Sequence, residues 1–346
     1  MKHRTITIFM LISILVTFII FSVPFAEETQ TPEGIERLKK QIESIIRGVE
    51  GEVGVAVKHL GSGEDLYMNG DTHFPMASVF KIPILVEVMA QIEEDKFALE
   101  DVIHVQKTDQ HLGSGMLSDL TAPGITLSIG NLVNLMMMIS DNSATDILLT
   151  KVRAENVNRR LRGYGIEDIT VNRTCQNLIL DILGVDRDKY KGLTGEEVIT
   201  ALRAEQEENP EAFKDARENF SKVLKDQSSP RAMNRLLEMI FNKEILDEES
   251  CDLILSIMLK CQTGKGRIKG DLPRGTEVAH KTGTIGGTVN DSGIIYLPDN
   301  LGHVAITVFT KDMALKTSEV EDIIAQIARF VYDYFYFTMF TVKTDE

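Results

Sequence analysis

Apolar residues recur at helical spacing from Ile35 to Ile46 (Ile35, Leu38, Ile42, Ile45, Ile46), with Thr31-Pro32 just ahead as a start signal. The period then changes. The stretches VGVAVKHL at 53–60 and EDLYMN at 64–69 flank Gly61-Ser62-Gly63, which reads as a hairpin. A long helical middle follows, over about 78–94, 127–139, 143–151, 155–162, 195–208, 230–242 and 248–260. Strand patterns return at 276–281, 291–297 and 303–310, with Pro298-Asp299-Asn300 as a turn, and 316–338 is again amphipathic and helical. This order predicts a mixed α/β fold of the α+β kind. An antiparallel sheet is built from both ends of the chain and flanked by N- and C-terminal helices, with an all-helical lobe inserted. One lobe comprises 33–75 plus 266–346 and the other 76–265, and a site is expected at their junction.

The N-terminus stands outside this scheme. Thr5 to Val23 is a 19-residue stretch without a charge, preceded by Lys2, His3 and Arg4. It reads as a secretory signal or an N-terminal membrane anchor over 1–26, so the body is expected to be exported. Ala26 offers a cleavage site, but Pro24 occupies the position three before the cut, where a small residue is preferred; both fates stay open. The net charge of −15 becomes −17 if 1–26 is lost, because Lys2 and Arg4 go and no acid does. Either value argues against a nucleic-acid partner and against docking on anionic lipid by charge.

Three cysteines are present, Cys175, Cys251 and Cys261. The last two flank a helical pattern whose ends lie about 15 Å apart, too far for a disulfide, so packed free thiols are expected. No CxxC or HExxH occurs, and no metal or cofactor is indicated. A monomer acting on a small molecule is the expected form.

Three short motifs carry chemistry. In MASVFKIP at 76–83, Lys81 follows Ser78 by three residues, which puts both on one helical face. A serine hydroxyl is a weak nucleophile until a base takes its proton, and a lysine in a partly apolar, positively charged site is neutral often enough to serve. Alone, such a pair is common by chance. In MMMISDNSATDILL at 136–149, Ser140-Asp141-Asn142 lies between two apolar helices, where such triplets are usually caps. In VAHKTGTIGGTVND at 278–291, Lys281-Thr282-Gly283 ends a strand. Together, in this order and at separations of 62 and 141 residues, the three are specific.

The set resembles the penicillin-recognising serine enzymes, class A β-lactamases most closely. SSPRAMNRLL at 228–237 and HKTGTIGGTVNDSGIIYLPD at 280–299 extend the likeness over nearly the whole chain after its N-terminal segment. The resemblance implies a β-lactamase/transpeptidase-like fold. It implies that Ser78 is the acylated nucleophile, Lys81 its proton partner, and Ser140 the hydroxyl that passes a proton to the leaving nitrogen. Asn142 would hold the substrate's amide side chain. Lys281 and Thr282 would bind its carboxylate end, Gly283 would let the strand approach closely, and the backbone N–H groups of Ser78 and Thr284 would form the oxyanion hole.

The chain departs from that family in two places. Class A enzymes carry a glutamate, in Glu-x-x-Leu-Asn, on a loop whose neck pairs an arginine with an aspartate. Arg173 and Asp226 resemble the neck, but 52 residues lie between them, and Cys175 falls at the glutamate's place. The insertion at about 174–225 shows helical patterns of its own, and its acids mostly read as a solvated face. Asp181 and Glu196 are the candidate water-activating bases within it. Second, the arginine that some members place after the lysine motif is here Asn290; Arg267 matches the alternative position ahead of it. The family resemblance leaves three expectations: a β-lactamase-like hydrolase, a D-alanyl-D-alanine peptidase or transpeptidase, and a slowly deacylating binder of β-lactams or cell-wall peptides.

Overall fold

The computed structural model describes residues 33–345; the expected leader over 1–26 lies outside them. The elements run α1 (Glu33–Ile46), β1 (Glu52–His59), β2 (Asp65–Met68), β3 (Phe74–Pro75), α2 (Lys81–Glu93), β4 (Val102–Val105), β5 (Ile125–Ser128), α3 (Ile129–Met138), α4 (Asn142–Val152) and α5 (Ala154–Gly163). They continue with α6 (Cys175–Ile182), α7 (Gly195–Glu208), α8 (Pro210–Asn219), β6 (Gln227–Ser228), α9 (Pro230–Phe241), α10 (Glu248–Leu259), β7 (Val278–Ile285), β8 (Thr288–Tyr296), β9 (His303–Lys311) and α11 (Thr317–Asp345). No described helix is long and apolar enough to cross a membrane.

Five strands form one antiparallel sheet in the order β2-β1-β9-β8-β7. The N-terminal hairpin therefore joins the C-terminal strands through β1 and β9, in register from Glu52↔Lys311 to His59↔Val304. β1 and β8 are buried almost without interruption because both faces of the sheet are covered. One face carries α1 and α11, with Leu38, Ile42, Val55, Ile306 and Ile324 in a shared core. The other face meets the helical part, where Ala279, Ile294 and Phe309 pack with side chains of α2, α3, α9 and α10. α2 is apolar all round and buried from Lys81 to Gln91, as a helix enclosed by others must be. The removal of Val, Ile and Leu side chains from water, about 25 cal/mol per Å², is the main attraction between these layers.

The structure adds elements that the pattern did not reveal. The hairpin β4–β5 was not expected, and its second strand takes residues assigned to the next helix. Ser128 ends that strand and caps α3, its hydroxyl accepting from Asn131 N–H at 3.2 Å. β7 and β8 reach further toward their common turn than expected, to Ile285 and from Thr288, and α11 runs on to Asp345.

The insertion folds into α6, α7 and α8 around its own small core of Leu180, Val185, Tyr190, Val198, Leu202 and Phe213. Thr194 and Glu197 form a reciprocal cap that starts α7. At its base Arg173 Nε donates to Asp226 Oδ2, and Asp226 Oδ1 accepts from the backbone of Asn172 at 2.6 Å and of Arg173 at 3.2 Å. Both side chains are buried; without Asp226, Arg173 keeps only Asp181 as an acidic partner among the described residues, and the N–H groups of Asn172 and Arg173 lose their acceptor. Asp226→Ala is expected to cost about 3–5 kcal/mol, read as a drop in the urea midpoint.

Candidate active site

The segment entering the site is held from two sides. Asn290 Nδ2 donates to the carbonyls of Pro75 (2.8 Å) and Met76 (3.1 Å), and Met76 N–H donates to Asp226 O at 3.0 Å. Ala77 then takes a positive φ of 47°, a conformation that non-glycine residues adopt only where the surroundings impose it. Ser78 lies in a 3-10 turn, Ala77–Phe80, and α2 begins at Lys81. The pair therefore straddles a helix junction, where a single helix from 78 was expected. Ser78 is half-buried, and its hydroxyl has no hydrogen-bond partner among the described residues.

Lys81 is fully buried, and its Nζ donates to Ser140 O (2.7 Å), Ser140 Oγ (3.0 Å) and Asn142 Oδ1 (2.9 Å). Lys281, also buried, approaches from β7 and donates to the same Ser140 Oγ at 3.0 Å and to Thr282 O at 2.8 Å. Ser140 presents its hydroxyl to both amines from a positive φ of 61°. A hydroxyl has two acceptor lone pairs. With both occupied by the lysines, its O–H is free to point into the cleft. Burial pushes the Lys281 ammonium down to about 7, helped by the charge of Lys81. Burial likewise lowers Lys81, against the charges of Cys175, Asp146 and Asp141, which raise it. Two ammonium groups on one buried oxygen repel, so the pair loses a proton readily.

Asp141 organises the opposite wall. Its Oδ1 caps α4 at Ala144 N–H (2.9 Å), and its Oδ2 accepts from the N–H groups of Met116 (2.7 Å) and Leu117 (2.9 Å). This anchors the loop HLGSGML at 111–117 beside Asn142, whose Nδ2 donates to Leu112 O at 2.8 Å. Gly115, at φ 122°, sits so close that a Cβ would lie 2.3 Å from the Asp141 carboxyl carbon.

On β7, a Cβ at Gly283 would lie 2.5 Å from Met76 O and 2.9 Å from Ser78 N. The strand is thus pressed against the Ser78 turn, which brings the Thr284 backbone alongside it. Gly283→Ala must push these two segments apart. It is expected to slow any reaction at Ser78 roughly 100-fold, the usual penalty for misplacing a reacting group by about 1 Å, while stopped-flow kinetics and circular dichroism separate this from unfolding. Thr282 is buried, with its hydroxyl 2.6 Å from that of Thr263. Arg267 lies behind the strand. It donates to Glu321 Oε1 (2.9 Å), to the carbonyls of Gly283 (3.0 Å) and Asn290 (2.8 Å), and to Thr284 Oγ1 (2.6 Å). Four of the five guanidinium N–H groups are therefore engaged, and one Nη2 N–H remains.

Cys175 is the residue that the gap-free count sets at the place of the absent glutamate. Cys175 is buried at the start of α6, and the thiol and the Lys81 ammonium feel one another's charge. Burial pushes the Cys175 thiol well above its usual range, Asp146 adds to this, and Lys81 opposes it. The motif analysis missed Asp146 and His111. Asp146 accepts from Cys175 N–H (2.6 Å), Gln176 N–H (3.0 Å) and His111 Nδ1 (2.6 Å), tying α6 to α4 and to the HLGSGML loop. The available signal was the position of Asp146, one helical turn after Asn142.

Neither proposed base is brought to the lysines. Asp181 is held between Arg173 Nη1 (2.7 Å) and Arg187 Nε (2.9 Å) at the neck. Glu196 stands exposed in the first turn of α7, on a groove of about 1030 Å³ whose other wall is the 107–122 loop. Among the described contacts neither carboxylate meets Lys81, Ser140 or Lys281, so both assignments are withdrawn. The insertion carries these side chains outward with its own fold. All three cysteines are free and buried, as expected.

Comparison with known proteins agrees with this geometry. The model of the β-lactamase enzyme family matches residues 37–335. The β-lactamase VEB-1 of Pseudomonas aeruginosa is 29% identical, covering 87% of this chain and 91% of its own. The extended-spectrum β-lactamase PER-1 of the same organism is 30% identical, covering 86% and 87%. The crystal structure of the TLA-3 extended-spectrum β-lactamase superposes with a TM-score of 0.71 at 28% identity, over 87% of this chain and 99% of that one. The chain belongs to the β-lactamase enzyme family, among the penicillin-recognising serine enzymes of the class A type.

Proposed function

We propose that the protein is a serine hydrolase of the class A β-lactamase type, opening β-lactams through an acyl-enzyme on Ser78. The observation that carries this reading is the Ser140 hydroxyl held by two buried lysines, one of them a turn after a serine whose own hydroxyl makes no hydrogen bond among the described residues. Lys81, neutral in part of the population, takes the Ser78 proton as the oxygen attacks the lactam carbonyl. The backbone N–H groups of Ser78 and Thr284 receive the developing oxyanion; such donors are worth roughly 3 kcal/mol each. Ser140 hands a proton to the departing nitrogen and is resupplied from the lysines. Asn142 binds the amide side chain. Lys281 and Thr282 bind the carboxylate, and Arg267 adds charge through the edge of Thr284. Export, by a leader over 1–26 that is cleaved or kept as an anchor, is part of the same proposal.

The test is a chromogenic lactam followed through burst and steady state. Sustained release of opened product supports the hydrolase. A stoichiometric burst with a permanent adduct overturns it in favour of a binder. The presence of Cys175 at the glutamate's place favours one further reading, a D-alanyl-D-alanine peptidase, which release of D-alanine from a cell-wall peptide would identify. The sign of the pH dependence follows from the lysine pair. Lowered pKa values mean that a neutral amine is available near pH 7, so the acylation rate is expected to rise through about pH 7 and to be lost on the acid side. A rate that is flat between pH 5 and 9 would remove the lysines from the proton path.

A further inference from the structure

Behind the Lys281–Thr282 edge of β7 lies a second cluster that the proposed reaction does not use. His280 is fully buried, and its Nδ1 faces both carboxylate oxygens of Asp291, at 2.9 and 3.0 Å. Asp291 Oδ2 also accepts from Ile268 N–H at 3.2 Å, which fixes the carboxylate on that side. The other ring nitrogen, Nε2, is buried with no hydrogen-bond partner among the described residues. His280 shares a face of β7 with Thr282, two residues on, and its ring is electrostatically coupled to the thiol of Cys261, just past the end of α10. Its sulfur lies 3.3 Å from Thr263 Oγ1, and Thr263 Oγ1 is 2.6 Å from Thr282 Oγ1.

We propose that Cys261, backed by His280 and Asp291, is a reactive thiol that takes up small hydroperoxides and other soft electrophiles, and that its modification slows the Ser78 site through Thr263 and Thr282. A thiolate, not a thiol, is the nucleophile, and an adjacent imidazolium is the arrangement that maintains one. Asp291 keeps the proton on His280, as its carboxylate does for any ring it faces. The charged groups that act on the sulfur are His280 and Lys281; Asp291 acts in turn on both, and Arg267 on Lys281. Burial alone would push the Cys261 thiol up, but His280 and Lys281 outweigh it and bring the group down to about 6. His280 is raised to about 9, because Asp291 and Cys261 overcome its burial. Cys251 and Cys175 are shifted the other way by burial, which in Cys175 outweighs the charge of Lys81. Cys261 also keeps 7% of its surface exposed, against 0% for Cys251.

With a hydroperoxide the sulfur attacks one peroxide oxygen. An S–O bond forms and the O–O bond breaks; sulfur is oxidised by two electrons, and the departing oxygen leaves as hydroxide or alkoxide and takes a proton from water. The product is a sulfenic acid. The added oxygen enlarges a group that already touches Thr263 Oγ1 at 3.3 Å, and so disturbs the hydrogen bond between Thr263 and Thr282.

Two measurements on the full-length protein test this, the first without any lactam, so that failure of the proposed function does not decide it. Iodoacetamide labelling with peptide mapping should mark Cys261 ahead of Cys175 and Cys251, with a half-point near pH 6 that His280→Gln moves toward the ordinary thiol range. A half-point already in that ordinary range, or prior labelling of Cys175, overturns the proposal. Second, hydrogen peroxide should add one oxygen at Cys261 and slow Ser78 acylation about fivefold, the worth of one lost hydrogen bond. Cys261→Ser should keep the basal rate and lose the sensitivity. Oxidised Cys261 with an unchanged acylation rate, or equal slowing in Cys261→Ser, overturns the coupling to Thr282.

Discussion

Ser78→Ala is expected to abolish covalent labelling by a penicillin and to leave the fold unchanged. The hydroxyl of Ser78 makes no hydrogen bond among the described residues and is half-exposed, so its removal breaks no internal contact. The loss should stay within about 0.5 kcal/mol of stability. The chemical loss is of another size. Removal of a serine nucleophile from an enzyme that uses it costs roughly 10⁶-fold in turnover, because no other group sits where the attacking oxygen was. Intact-protein mass after incubation with the lactam reads the result directly. An adduct of the lactam on the alanine variant would mean that another residue is acylated, and Ser140, held by both lysines, would be the first to suspect.

The second expectation concerns the step after acylation. Lys81 and Ser140 are in place for acylation. Among the described residues, the carboxylates whose charge reaches Lys81 are Asp146 and Asp141, and neither is free to activate the water that must attack the ester. The oxygens of Asp146 already accept two backbone N–H groups and His111, and Asp141 is consumed by Ala144, Met116 and Leu117. Loss of a positioned base costs typically 10²–10⁴-fold in its step, so acyl-enzyme should accumulate during turnover and product should appear after a burst. Cys175→Glu puts a carboxylate beside Lys81 and is expected to raise the deacylation rate roughly 100-fold, provided the larger side chain is accommodated. Thermal melting reports whether it is. Glu196→Gln, exposed on α7, should leave that rate as it is. A linear time course with no adduct at steady state would show that the water has a base that the geometry does not reveal.

Much of this was legible before any coordinates. Ile35, Leu38 and Ile42 announced α1 by their spacing, and the same three side chains are the ones it buries. The order of strand and helix patterns specified a sheet drawn from both chain ends. Side chains with fixed chemistry were legible too: Lys81, Ser140, Asn142 and Lys281 share hydrogen bonds, and Ser78 lies in the turn that leads into the helix of Lys81. What stayed hidden depends on long-range geometry. β4 and β5 are four residues each, too short for a period to emerge, and they exist only because they pair. Asp181 and Glu196 looked like candidate bases because a carboxylate's identity is visible and its neighbours are not. Asp181 is consumed by Arg173 and Arg187, and α7 carries Glu196 to the surface. Asp146 was overlooked for the converse reason. An aspartate inside a helix gives no sign that its oxygens will hold the next segment's backbone.

The pairing of β1 with β9 has a consequence for how the molecule comes into being. Glu52 finds its partner at Lys311, across some three-quarters of the chain, and β1 lies inside the sheet between β2 and β9. Until β9 has been synthesised, β1 has only the four residues of β2 beside it. A two-stranded hairpin of that length is marginal in water. Helices α2 to α5 contact neighbours near in sequence and are free to collapse early, whereas the sheet must wait and then close a very large loop. During that interval the apolar edge of β1 is uncovered and able to pair with another chain. Yield on refolding should therefore fall steeply as protein concentration rises. A chain ending before residue 303 should aggregate rather than persist as a smaller folded body, because the strand that joins its two ends would be missing.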